Sequence, residues 1–400
     1  MKTPCNSCWF LATNARKAQK TMSLLSVEDA LDRVVELCVP LAAEQVSIDA
    51  AMCLVLAHDV TATRSLPPWD NSAMDGYAIR TADLSQLPAQ LTIVERIFAG
   101  QEPSIPLDEG MCSRIMTGAQ IPKGADAVVM QERVKIIDDD VIELGDEVPA
   151  GTHIRRRGED IVKGAPLFEA GTFIGLAECG ALWAQSISSV MVHRRPRVAI
   201  AASGDELCNA WEEPRGRIVD SNSPVIAAAV RQAGGVPVTL GVVPDQLESL
   251  IEIFQKGLDA DVLITIAGAS VGERDFTKDA FKHLGVEMDF WKVAMKPGKP
   301  LAVGTKGSTL VIGLPGNPIS AMVTFELFVR PALRSQQGLK STPLHVPGRA
   351  AAPLSKSPGL RHFVRVSVEN RDGELWATPT RTQSSGALSS AFGATQLASL

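Results

Sequence analysis

The chain has 400 residues, with 39 Lys plus Arg against 45 Asp plus Glu, a formal charge of −6, and 45% apolar residues. That length accommodates about two to four ordinary domains, the apolar fraction excludes a disordered chain, and no apolar run approaches the roughly 18 residues of a membrane span. A net acidic balance argues against a general nucleic-acid binder, and seven cysteines without a secretion signal fit a reducing, cytoplasmic compartment better than a disulfide scaffold.

Residues 1–23 are basic and acid-poor and read as a disordered leader outside the fold. Their Cys5 and Cys8 form a C-x-x-C pair with no second pair at zinc spacing. Ser26-Val-Glu-Asp29 resembles a capping box, and Val27, Ala30, Leu31, Val34, Val35 and Cys38 follow at helical spacing until Pro40. Between about 60 and 160 the texture changes to short β-branched runs cut by Gly and Pro, at 91–97, 127–131 and 134–137, which predicts a small β-rich domain.

From Arg197 strands and helices alternate. Strands are expected at 198–202, 236–243, 261–267, 288–294 and 310–313. Helices are expected from Ser223-Pro224 to Gly234, at 246–256, at 277–284, and as a long amphipathic segment over 318–333. Such alternation implies right-handed crossovers and a mostly parallel sheet. Beyond Pro343 the chain returns to short strands, at 363–368 and 374–377.

Four polar loops follow strand ends: Ser203-Gly-Asp-Glu206, Pro244-Asp245, 268–275, and Leu314-Pro-Gly-Asn-Pro318. In an open parallel sheet that edge is where ligands bind, and Gly there lets backbone N–H groups approach an anion. One such loop is ordinary turn chemistry, whereas four on one edge point to a ligand site. Glu206, Asp245 and Asp275 bring three carboxylates, which near a phosphate-bearing ligand call for a cation such as Mg²⁺. Lys292, Lys296 and Lys299 add positive charge, and Lys296-Pro-Gly-Lys299 is a rigid turn suited to an oxyanion. Together they describe a metal-assisted site for an anionic, phosphate-containing substrate. No Walker P-loop, dinucleotide glycine fingerprint, zinc-protease histidine pair or nucleophile-elbow serine occurs. In the β-rich part, 67–78 and Arg155-Arg-Arg-Gly-Glu-Asp160 are polar clusters, and at most part of the arginine run can face a ligand.

These strings resemble the MoeA-type molybdopterin molybdenumtransferases, including the gephyrin E domain. The resemblance rests on Asp70-Asn-Ser-Ala-Met-Asp-Gly-Tyr-Ala78, Arg114-Ile-Met-Thr-Gly-Ala119, Arg155–Asp160, Ser203–Glu206, Ser270-Val-Gly272 with Asp275, Lys296–Pro300 and Gly313–Pro318. They lie in family order over about residues 24–390. The resemblance implies an α/β plus β fold in an elongated multi-domain subunit: a MogA-like parallel α/β domain at 195–343, a β-rich inserted domain at 63–163, a small linking domain from 24–62 and 164–194, and a C-terminal β-barrel-like domain at 344–400. The N-terminal helix is allowed to pack on the α/β domain. Because the chain stops at Leu400, that last domain is expected to be truncated.

The implied activity is insertion of molybdate into the dithiolene of adenylylated molybdopterin with release of AMP, in a cytoplasmic homodimer using Mg²⁺ or a similar divalent ion. By resemblance, Glu206, Asp245 and Asp275 hold the metal and phosphates. Lys292 and Lys296 meet phosphate or pterin, and Lys296 with Lys299 binds molybdate. Ser270, Pro300 and Asn317 belong to the substrate site, and Arg365 and Ser385 lie near the oxyanion. Asp75, Thr117, Arg155 and Asp160 are supplied across the dimer interface. A MogA-like adenylyltransferase and molybdoenzymes are the implied partners; nucleic acid and membrane are not. The alternatives are adenylylation of molybdopterin itself, or a catalytically weak scaffold homologue. Two departures stand out: Ala267 occupies a position where the family has Gly, and Phe276 replaces a frequent Tyr.

Overall fold

The computed structural model describes residues 24–267, 276–339 and 345–400; the leader with its Cys5–Cys8 pair, Ser270, Asp275 and the rest of 268–275, and 340–344 lie outside the described residues. The described chain forms two compact units. One comprises the residues up to Glu44, Cys53–Ala57 and Val192–Leu400, and the other Gln45–Met52 and His58–Met191.

The chain opens with helix α1 (Val27–Glu36), where the Ser26 hydroxyl accepts the Asp29 N–H at 3.0 Å and Glu28 and Asp29 sit in the first turn. Cap and acidic first turn both favour a helix start here. Its Val27, Ala30 and Val34 face joins the core of the α/β unit.

The second unit is built on six strands: β1 (Gly76–Ile79), β2 (Ala89–Ile97), β3 (Met111–Ile115), β4 (Ala127–Met130), β5 (Lys135–Ile136) and β6 (Val141–Leu144), in spatial order β4-β1-β3-β2-β6-β5. Only β2 and β3 pair in parallel. Both faces are buried, Tyr77, Leu91, Val129 and Ile142 on one side and Ala78, Ile115 and Val128 on the other. Gly76 starts the central strand, and a Cβ there would stand 1.9 Å from the Val129 carbonyl oxygen, so only glycine fits. Strands β1, β3 and β6 were not among the runs singled out from the sequence. Helix α2 (Leu176–Ala184) follows, its first turn closed by the Glu178 carboxylate accepting the Gly175 N–H at 2.9 Å.

The α/β unit contains β7 (Arg197–Ser203), α3 (Asn222–Gln232), β8 (Val236–Val243), α4 (Leu247–Gly257), β9 (Val262–Ile266), α5 (Phe276–His283), β10 (Glu287–Lys292), β11 (Met295–Lys296), β12 (Pro300–Lys306) and β13 (Thr309–Leu314). The sheet order is β8-β7-β9-β13-β12-β10. Strands β8, β7, β9 and β13 are mutually parallel, while β12 runs antiparallel to both β13 and β10. Strand β12, missed from sequence, thus makes the sheet mixed. It also turns β10 back into the direction of β13, so the C-terminal end of β10 lies on the same edge as the C-terminal ends of β8, β7, β9 and β13.

The expected long amphipathic helix is a nearly buried run: α6 (Pro318–Thr324), a π turn at Phe325–Val329, and α7 (Arg330–Gln336). Its Phe325, Phe328, Val329, Ala332 and Leu333 share one core with Val27, Ala30 and Val34. The α1 stripe packs on one side of this run, while Glu326, paired with Arg330, and Arg334 form its solvent-facing polar side.

The C-terminal segment contributes β14 (Arg349–Ala350), β15 (Arg361–Arg371), β16 (Glu374–Pro379) and β17 (Gln396–Ser399). Strand β11 extends this sheet in the order β11-β15-β16-β14, and β17 lies antiparallel along residues 363–366 of β15.

Candidate active site

Parallel pairing of β8, β7, β9 and β13 brings the loops after Val243, Ser203, Ile266 and Leu314 to one edge. At the β7–β8 corner, the Asp205 carboxylate accepts the Asp245 N–H at 3.1 Å. Crowding by the surrounding loop atoms, then the charges of Asp205 and Glu206, holds the Asp245 carboxyl above its ordinary value despite hydrogen bonds from Ser203 and the neighbouring backbone. A carboxylate whose proton affinity is raised by two neighbouring carboxylates marks a corner that favours a cation. Among the described residues no group of three or more His, Cys, Asp or Glu is already arranged around a metal position. Asp275, the remaining expected ligand, lies outside the described residues. Gly204 gives this corner its shape: a Cβ there would meet the Glu206 carboxylate at 2.7 Å. Asp205 was absent from the expected site, although its place in Ser203-Gly-Asp-Glu206 was the available signal.

The lysines sit at the other end of the edge. Lys292 closes β10, opposite Pro300, and Lys296 pairs in register with His362 of β15. Lys296 and Lys299 are exposed and Lys292 is half-buried. The turn between them packs tightly, since a Cβ on Gly298, at φ +98°, would meet the Thr324 methyl at 2.6 Å. Burial, then the charges of Lys296 and Lys356, holds His362 below its ordinary value, so His362 stays neutral at pH 7. At a strand spacing of about 4.8 Å, the β7 and β8 loops stand about 20 Å from the end of β10 along the sheet. Carboxylates at the β7–β8 corner and Lys292 at the end of β10 therefore do not converge on one atom.

Near the lysine end lies a cluster drawn from the C-terminal segment. Asn317 precedes α6, and its amide donates to the Ser385 hydroxyl at 3.3 Å. The Ser385 carbonyl in turn accepts the otherwise unpaired Ile319 N–H at 3.1 Å. Asn222, also missed from sequence, donates to the Gly316 carbonyl at 2.7 Å and fixes this loop. Arg365 is 4% exposed. Its guanidinium reaches the Ser384 carbonyl at 3.4 Å and the Ser390 hydroxyl at 3.2 Å, and its Nε has no partner. Burial pulls it below its ordinary value, and no described carboxylate pairs with it. A buried guanidinium without a counter-ion is a receptor for an oxyanion.

Ala267 ends β9 with φ +73°. The glycine expected there would adopt that conformation freely; alanine holds it under strain.

In the β-rich unit, Asp75 accepts the Thr117 N–H and hydroxyl, each at 2.7 Å. These bonds, with the charge of Arg114, hold its carboxyl below the ordinary range. Residues 71–72 pair with 154–155, and Ser72 also exchanges backbone hydrogen bonds with Gly118 and Ala119, so the loops bearing Asp75, Thr117 and Arg155 are laced together. Of the three arginines, Arg156 is committed to Asp70 at 2.7 Å, and the Arg157 N–H donates to the same carboxylate at 2.7 Å. Arg155 and Asp160 are exposed.

Three family models match the chain in order: MoeA N-terminal region (domain I and II) over residues 25–186, "Probable molybdopterin binding domain" over 199–335, and MoeA C-terminal region (domain IV) over 347–395. Similar curated proteins include a molybdopterin molybdenumtransferase of Nostoc sp., 39% identical over 87% of this chain and 83% of that one. Another is that of Bacillus subtilis, 34% identical over 92% of this chain and 87% of that one. Among solved structures, the molybdopterin biosynthesis moeA protein of Pyrococcus horikoshii OT3 is 29% identical, covers 94% of this chain and 95% of its own, and superposes with a TM-score of 0.83.

Proposed function

The chain belongs to the MoeA-type molybdopterin molybdenumtransferases, and on that premise we propose that it inserts molybdate into the dithiolene of adenylylated molybdopterin with release of AMP. The observation that carries this reading is the sheet edge itself, which bears carboxylates at the β7–β8 corner and, further along, the β13 loop with Asn317 and the lysine at the end of β10. The carboxylates suit a cation on the phosphoanhydride, and the lysines and Arg365 suit the phosphate and the oxyanion. Transfer within molybdenum cofactor biosynthesis, rather than adenylylation of molybdopterin, is also what the names of the relatives carry.

Asp205, Glu206 and Asp245, with Asp275, are the residues that would hold a divalent ion such as Mg²⁺, whose chemistry is to draw charge from the phosphoanhydride. Lys292 and Lys296 orient the phosphate and pterin portions. Lys296, Lys299 and Arg365 neutralise molybdate, while Asn317 and Ser385 offer it hydrogen bonds. Holding the oxyanion against the dithiolene replaces an encounter in solution with a fixed approach. Ser270 and Pro300 complete the substrate-facing set. Asp75, Thr117, Arg155 and Asp160 act from the second subunit of a homodimer, and a MogA-like adenylyltransferase and molybdoenzymes stand on either side of the reaction. No described helix is long and apolar enough to cross a membrane.

The test is reconstitution. Purified protein, adenylylated molybdopterin, Mg²⁺ and molybdate should release AMP and yield cofactor that activates an apo-molybdoenzyme. Asp245→Ala and Lys296→Ala should each abolish this. Full cofactor yield from either variant would sink the assignment.

A further inference from the structure

His362 is only 7% exposed and lies in β15 in register with Lys296 of β11. The pairing is parallel, so both side chains leave the same face of the sheet. The Arg361 N–H donates to the Ala294 carbonyl at 2.8 Å and fixes that register. The His362 Nε2 accepts the Ser357 N–H at 3.2 Å, and the Ser355 backbone also hydrogen-bonds the ring. Residues 353–357 belong to no helix or strand. The imidazole therefore clasps an irregular segment at the residues on either side of Lys356.

Lys296 and Lys356 are both exposed. Both stand close enough to His362 for their charges to oppose its protonation. Neither makes an ion pair among the described residues. Two ammonium groups gathered about one buried ring, with no described carboxylate paired to either, repel each other and attract an anion.

We propose that Lys356 is a further anion-binding residue, acting with Lys296 on an oxyanion, and that His362 is the positioning residue that holds it there. The assignment rests on the transferase reading, in which molybdate is the oxyanion, and adds a residue from the segment before β15 to its receptor.

The experiment is calorimetric titration of the full chain with molybdate at low and at high salt. Lys356→Gln should weaken molybdate about fivefold at low salt and less at high salt, because salt screens an exposed cation. His362→Leu removes both hydrogen bonds to the segment and should weaken molybdate to the same extent. His362→Gln, which can still donate and accept, should restore binding to within about twofold of wild type. The double variant, Lys356→Gln with His362→Leu, should bind no more weakly than either single variant, because one lost contact underlies both. A merely structural role for His362 would instead add its loss to that of Lys356→Gln and would not be rescued by glutamine. Wild-type affinity in Lys356→Gln, additive losses in the double variant, or no molybdate binding by the wild-type chain at millimolar concentration overturns the proposal. If His362→Leu does not fold, Lys356→Gln and its salt dependence decide the matter alone. The transferase reading fails separately, if wild-type protein that binds molybdate releases no AMP from adenylylated molybdopterin.

Discussion

Replacing Arg365 by Met separates two roles that a buried arginine can have. If the guanidinium is structural, truncation should cost 3–5 kcal/mol, the usual penalty for breaking a buried charged pair. The contacts point the other way. Its two hydrogen bonds are long, 3.2 and 3.4 Å, its Nε is unpaired, and no described carboxylate balances its charge. Two charged hydrogen bonds are worth about 3 kcal/mol at these lengths, while an unpaired buried donor costs about 1–3 kcal/mol and burying the charge several more. Gln383 clamps the Arg365 backbone at both N–H and carbonyl, each at 3.0 Å, so the loop keeps its anchor in the variant. The expected net change in ligand-free buffer is within about 1 kcal/mol of zero. Molybdate at 100 times its Kd should stabilise the wild-type protein by about 2.7 kcal/mol, a rise of about 5–10 °C in the Tm of a domain this size. Arg365→Met should lose most of that rise. The assay is a thermal melt with and without molybdate. A ligand-free loss above about 3 kcal/mol, or a wild-type molybdate shift in the variant, would refute the reasoning.

Three further perturbations probe the remaining features. Asp245→Asn removes a carboxyl whose pKa is raised on folding. In wild type, stability should therefore fall as pH rises from the ordinary carboxylate value through the raised one, and the variant should be flatter there and at least as stable at pH 7. Mg²⁺ should raise the wild-type Tm and not that of the variant. Ala267→Gly should stabilise by up to about 1 kcal/mol in a denaturant titration, because relief of the left-handed strain exceeds the entropy that glycine loses; a destabilised variant would refute this. Asp70→Ala should cost about 1 kcal/mol, since the Arg157 N–H and the Arg156 guanidinium lose an acceptor that stays partly in water. Partial burial alone would raise the Asp70 carboxyl, but those bonds hold it below its ordinary value. Its contribution is thus present at neutral pH and lost only as the pH falls below the ordinary carboxylate range.

Much of the chemistry was legible in one dimension. Ser26 before an apolar stripe gave a capped helix, and the alternation from Arg197 gave strands β7, β8, β9 and β13, whose C-terminal ends lead into the polar segments. These are local signals: capping, periodicity and turn chemistry act over a few residues, so sequence spacing records them. The amphipathic segment expected at 318–333 keeps its polar side at Glu326 and Arg334, but its π turn and its packing against α1, a distant segment, were not legible in spacing. Strand β12 failed because its meaning is topological: only in the sheet does it reverse direction and deliver Lys292 to the edge with the loops. Likewise Asp205 is joined to Asp245, forty residues on, by a hydrogen bond, and no described carboxylate pairs with Arg365. Residue types alone supplied carboxylates, lysines and glycine loops. Tertiary structure decided which of them share a corner and which face each other across the sheet, because electrostatic coupling depends on distance in space.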